Sequence, residues 1–153
     1  MRITLFRALC ALAAVLSLVA FTGCGGSSSS STDNYKKDAQ KVATDFKNSA
    51  VAAGQELQSA TTTDARVKGL ESLKTSVNNA ADGFAKLTPP ANVKSDQDAL
   101  VAGFRSLSSD IDQVQQAVKT NDAAAAQAAL PKLQADQSKV LQAVTSLQSK
   151  IGK

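Results

Sequence analysis

Residues 93–118, VKSDQDALVAGFRSLSSDIDQVQQAV, decide the fold. Val93, Gln97, Leu100, Phe104, Leu107, Ile111, Val114 and Val118 recur at alternating spacings of four and three, with one polar member. Positions three and four apart share a helix face, so this stretch reads as an amphipathic helix with one continuous apolar strip. The regular alternation is the seam of helices packed at shallow crossing angles, as in coiled coils.

The same pattern extends in both directions. Upstream, one strip runs Tyr35, Ala39, Val42, Phe46, Ala50, Ala53, Leu57, Ala60, and a second runs Val67, Leu70, Leu73, Val77, Ala80, Phe84, Leu87. Downstream, a fourth runs Ala126, Leu130, Leu133, Gln137, Val140, Val144, Leu147, Ile151, again with one polar member. Thr61-Thr62-Thr63 separates the first two strips, with Asp64 as the expected N-cap of the second helix. Thr88-Pro89-Pro90 ends the second strip: Pro90 disfavours helical geometry at Pro89 and itself suits the first position of a new helix. Thr120-Asn121-Asp122 forms the last turn. Two turns carry a Thr-x-Asp-Ala string, Thr62–Ala65 and Thr120–Ala123, which fits either a duplicated helical hairpin or shared capping chemistry. Pro131 removes a backbone hydrogen bond within the fourth helix, yet the strip stays in phase across it. One kinked helix is the favoured reading, and a short helix over residues 122–129 followed by the main one is the alternative.

The expected fold is therefore all-α: an antiparallel up-down-up-down four-helix bundle over residues 35–153, with short turns. Its helices should pack in layers, with Phe46, Val77, Phe104 and Val140 at the centre and Tyr35, Leu87, Val93 and Ile151 at the end that holds the N-terminus. Asp33–Lys37, Asp64–Lys68 and Asp82–Lys86 place an acid four residues before a base, the order that supports an exposed helix face.

The bundle is preceded by a segment of another kind. Arg2 and Arg7 supply positive charge, Ala8 to Phe21 form an apolar run of about fourteen residues, and Thr22 and Gly23 are small. That run is too short to span a bilayer comfortably and reads as a secretory signal peptide over residues 1–23. Gly25 to Asn34, GGSSSSSTDN, reads as a flexible tether, long enough to span roughly 17 Å on average.

Between the two stands Cys24. The string Phe21-Thr22-Gly23-Cys24 resembles the lipobox of bacterial lipoproteins, matching it at Gly23 and Cys24 and departing from it at Phe21, where an aliphatic residue is usual. The resemblance implies a diacylglycerol on the Cys24 sulfur, cleavage just before Cys24, and an acyl chain such as palmitate on the new N-terminus. Two or more chains anchor a protein stably where one binds marginally. It implies an extracytoplasmic protein held on the cell membrane, or on an outer membrane in a cell that has one. Cys10 has no apolar run before it and does not fit this role. Without lipid, Cys24 would be an odd thiol in a secreted chain. The Ala-rich helices and the Leu87-Thr88-Pro89-Pro90 turn are similar in general style to small helical envelope lipoproteins of uncharacterised function, which carry no catalytic or ligand residues to transfer.

Composition narrows the chemistry. Two of the 17 basic residues leave with the leader, so 15 face 13 acidic ones, and this near balance gives no reason to expect nucleic acid. No cysteine follows Cys24, so the bundle is expected to stand on its core without disulfides. Histidine is absent, and with it the commonest general base and metal or haem ligand. Bundle metal sites use inward carboxylates with a Glu-x-x-His pattern, whereas Glu56 and Glu71 are the only glutamates here. Asp96/Asp98 and Asp110/Asp112 are spaced by two, so neither pair shares a helix face, and all four are expected on solvated faces. No lysine has a serine three residues before it, and no Gly-rich phosphate loop is present. Catalytic residues, cofactors and metal ligands are accordingly expected to be none.

Gln97 and Gln137 on the strips fit either a polar cavity for a small ligand or hydrogen bonds that fix register. Lys36, Lys37, Lys41 and Lys47 crowd the start of the first helix, where they suit anionic headgroups or wall polymers as well as an ordinary exposed face. The expected function is a membrane-tethered, non-enzymatic interaction or scaffold module with an envelope protein or polymer as partner. The alternative is a carrier that holds a small apolar ligand between its helices.

Overall fold

A computed structural model describes residues 30–151 of this chain, and side chains from residue 32. The described chain is an all-α four-helix bundle: α1 Ser30–Ser59, α2 Thr63–Ala85, α3 Lys94–Lys119 and α4 Ala123–Ile151. Residues 1–29, including the leader and Cys24, lie outside the described residues.

Contacts along each consecutive pair run in opposite directions. Between α1 and α2, a Cβ on Gly69 would meet Leu57, and one on Gly83 would meet Val42. Between α2 and α3, Gln115 reaches Val67 while Phe84 stacks on Phe104. Between α3 and α4, Ser146 reaches Asp96, and a Cβ on Gly103 would lie 2.8 Å from Val140 Cγ2. Glycine at 69, 83 and 103 is what lets the neighbouring side chain sit against the helix backbone at the α1–α2 and α3–α4 seams. Close backbone packing is concentrated between consecutive helices, so α4 packs most closely on α3.

The apolar strips become the core. Leu100, Phe104, Leu107, Ile111 and Val114 of α3 are buried, as are Leu70, Leu73, Val77 and Phe84 of α2 and Leu133, Val140, Leu147 and Ile151 of α4. At the centre the Phe46 ring meets the Phe104 ring edge-on at 5.0 Å, and Phe84 stacks on the other side of Phe104 at 6.1 Å. Phe46 itself is half-buried. The buried positions of α1 are Tyr35 and the alanines 39, 43, 50 and 53, while Val42, Phe46 and Leu57 lie at the edge of the core.

The helix ends depart from the sequence expectation in three places, and the single-helix reading across Pro131 holds. Helix α1 begins at Ser30, so residues 30–34 are helical rather than tether; Asp33 in the first turn faces the positive end of the helix dipole. The N-cap of α2 is Thr62, whose hydroxyl accepts from the Ala65 amide at 3.2 Å, and Asp64 sits inside the first turn. Pro90 does not start a helix. It opens a turn in which the Val93 amide donates to the Pro90 carbonyl, and α3 begins at Lys94. Helix α4 runs unbroken through Pro131, which lies on its exposed side. The α3–α4 turn is a Schellman closure: Asp122 and Asn121 amides donate to the Ala117 and Val118 carbonyls, and Asn121 takes the left-handed conformation at φ 54°. Asp122 then accepts from the Ala125 amide. The two Thr-x-Asp-Ala strings thus cap with different members, Thr62 in one and Asp122 in the other, and stand in different register to their helices.

Candidate functional site

An open groove of about 420 Å³ lies between α2 and α3, lined by Lys74, Asn78, Arg105, Ser108, Ser109 and Asp112. Two of its lining residues, Lys74 and Asp112, belong to an ion-pair network. Lys74 Nζ lies 3.0 Å from Asp112 and 3.3 Å from Glu71. These contacts, the hydrogen bond to Asp112 first, raise the Lys74 pKa and keep it a fixed cation rather than a base. Beside it, the buried Gln115 amide donates to Glu71 Oε2 at 2.8 Å and to the Val67 carbonyl at 3.1 Å. Gln115 and then Lys74 hold the Glu71 carboxyl below its ordinary range. This network fastens α2 to α3.

The residues singled out from sequence fall apart from this groove and from one another. Gln97 is buried, and its amide donates to the Leu87 carbonyl at 3.2 Å, tying α3 to the end of α2 across the Pro89-Pro90 turn. Its Oε1 is buried without a hydrogen-bond partner. Gln137 is half-buried, with an amide nitrogen that has no hydrogen-bond partner. Lys41 pairs with Asp45 at 2.6 Å on the exposed face of α1. The ion pairs of the described residues do not include the three acid-before-base pairs expected; Lys94–Asp98 and Lys41–Asp45 run in the opposite order.

Two of the four paired aspartates, Asp96 and Asp110, are not on a solvated face, while Asp112 is half exposed. Asp96 lies between α3 and α4, where Lys150 Nζ reaches it at 2.7 Å and the Ser146 hydroxyl donates to it at 2.9 Å. Lys150 above all holds its carboxyl below the ordinary range. Near it, burial and then the Asp96 charge push the Tyr35 phenol up to about 12. Asp112 faces α2, and Asp110 is buried facing α4. The spacing of two does send Asp110 and Asp112 to different sides, but each side is an interface, because α3 is packed between two neighbours. Among the described residues, no three of His, Cys, Asp and Glu gather closely enough to hold a metal ion, and no helix is long and apolar enough to cross a membrane.

No protein-family model matches the chain, and no curated protein or solved structure matches it either.

Proposed function

We propose that this protein is a lipid-anchored, non-enzymatic module of the bacterial envelope that binds a protein or polymer outside the cytoplasmic membrane. The observation that carries this reading is Cys24 in its setting: a charged and apolar leader, the string Phe21-Thr22-Gly23-Cys24, and a Gly/Ser run that leads into a helical bundle. The first three features address and hold the chain, and the bundle is what they hold. The polar network between α2 and α3 supports a module, since it is mutually satisfied and offers a fixed surface rather than a reacting group.

The carrier alternative is favoured by the unpartnered polar atoms Gln97 Oε1 and Gln137 Nε2 inside the bundle. Against it, neither glutamine lines the α2–α3 groove. Capture of the full-length lipidated protein from membranes, with mass spectrometry of proteins, polymers and lipids, separates the two. A stoichiometric envelope protein or polymer is expected. A stoichiometric small apolar ligand without such a partner overturns the module in favour of the carrier.

A further inference from the structure

The groove between α2 and α3 is bounded by two ridges. Arg105, Ser108, Ser109 and Asp112 fall at i, i+3, i+4 and i+7, so they form one stripe along α3, about 10 Å long. Lys74 and Asn78 stand one turn apart on α2. The two helices run in opposite directions and Lys74 Nζ lies 3.0 Å from Asp112, so Asn78 falls level with Ser108, and Arg105 lies beyond it. The groove is thus polarised along its length. At one end Lys74 is held between Asp112 Oδ1 and Glu71, and Asp112 Oδ2 remains as an acceptor. At the other end stands the Arg105 guanidinium, a donor with a permanent charge. Asn78, Arg105, Ser108 and Ser109 have no hydrogen-bond or ion-pair partner among the described residues.

Every lining residue is polar, which sets aside an apolar ligand at this place. The groove's volume of about 420 Å³ suits a small unit. Its open side suits a unit of a chain that continues past both ends. Asn78, Ser108 and Ser109 can both donate and accept, as sugar hydroxyls do. The Arg105 fork matches two oxygens of a carboxylate or a phosphate. Hydroxyls toward Asp112 and an acidic group toward Arg105 are what one acidic sugar unit presents. Building on the reading of this protein as an envelope-binding module, we infer that the α2–α3 groove binds an acidic glycan, one unit at a time, with its acid group on Arg105 and its hydroxyls on Asn78, Ser108, Ser109 and Asp112. A single open site holds such a unit weakly. Many lipid-anchored copies on one surface gain avidity along the repeats of a polymer.

The test is calorimetric binding of short oligomers to the full-length protein in detergent micelles. The probes are a uronic-acid oligomer, its neutral methyl ester, a sugar-phosphate oligomer and oligoglutamate. An acidic sugar oligomer should bind, and which one binds separates a carboxylate from a phosphate. Arg105→Gln should weaken that binding about tenfold and Asn78→Leu about threefold. Both side chains are exposed, so neither change disturbs the core. Lys132→Gln, at an exposed lysine of α4, should leave the affinity unchanged. Binding of neither acidic sugar overturns the proposal, as does equal binding of the neutral ester or of oligoglutamate. Equal affinities of wild type and Arg105→Gln, or equal losses in Arg105→Gln and Lys132→Gln, overturn it too. Capture from membranes separates this from the module itself. A partner captured equally by wild type and Arg105→Gln overturns the groove and leaves the module standing. A wild type that captures neither protein nor polymer overturns the module, and the groove's partner with it.

Discussion

The two faces of α3 are fastened in different ways. Toward α2, each crossing polar group meets a complement: Lys74 lies between Asp112 and Glu71, and Gln115 donates to Glu71 and to the Val67 carbonyl. Toward α4, one contact is complementary, Asp96 with Lys150 and Ser146, whereas Asp110 is buried with its Oδ2 unpartnered. The α2–α3 seam therefore has a strength nearly independent of proton activity in the mild range. The α3–α4 seam contains two groups whose charges matter in opposite senses. A bundle in which all helices share one apolar logic can still have seams that respond differently to its surroundings.

The largest effect should come from the aromatic ring at the centre of the core, beside the α2–α3 seam. Phe104 packs against Phe46 and Phe84 and is buried. Phe104→Ala should cost about 3–5 kcal/mol, a large part of the ~5–15 kcal/mol of an ordinary domain. Denaturant unfolding measures it, and a loss below about 1 kcal/mol would mean that the core does not centre on this ring.

Next comes the close approach of α4. A Cβ at Gly103 would fall 2.8 Å from Val140 Cγ2. Gly103→Val should therefore push α4 away from α3 at a cost of about 1–3 kcal/mol, with faster amide exchange in α4 than in α2. Equal acceleration in both helices would erase the distinction between the seams.

A smaller effect is expected from Gln115→Leu, which removes the donor to Glu71 while keeping the site filled. The loss should be about 1 kcal/mol, because Glu71 is half exposed and water takes over part of the bond. The Glu71 carboxyl should titrate closer to its ordinary range, which NMR can follow. The smallest effect is that of Lys150→Met. Asp96 is lowered from 3.8, chiefly by Lys150, so this pair stabilises fully above that value and less as pH falls through the lowered one. The variant should lose little at neutral pH and should resist strong acid better relative to its own neutral value. The sign is opposite at Asp110, where burial first raises the carboxyl above 3.8, so that stability is lost as pH rises through the raised value.

The sequence made the helices and their apolar faces readable because large aliphatic residues alternate cleanly along α3. It was less informative for α1, where the buried seam is mostly alanine and the larger Val42, Phe46 and Leu57 lie at its margin. Alanine fills both faces of such a helix and marks neither. The spacing rule reads Asp110 as solvated and passes over Gln115, although the signal for burial is present in both. Asp110 lies three residues after Leu107 and four before Val114, and Gln115 four after Ile111 and three before Val118, so both border the strip. A helix with neighbours on two sides buries more than its central strip. The close approaches at Gly69, Gly83 and Gly103 depend on which residue faces each glycine across the seam, and that pairing is not local information.

Neither seam bears on where the domain is held, and that central claim rests on Cys24. Fractionation of cells expressing wild type and Cys24→Ser tests it most directly. Wild type should be cleaved before Cys24 and recovered with membranes, whereas the serine variant should move to the soluble or the uncleaved pool. A serine variant that is processed normally and stays as membrane-bound as wild type would contradict it.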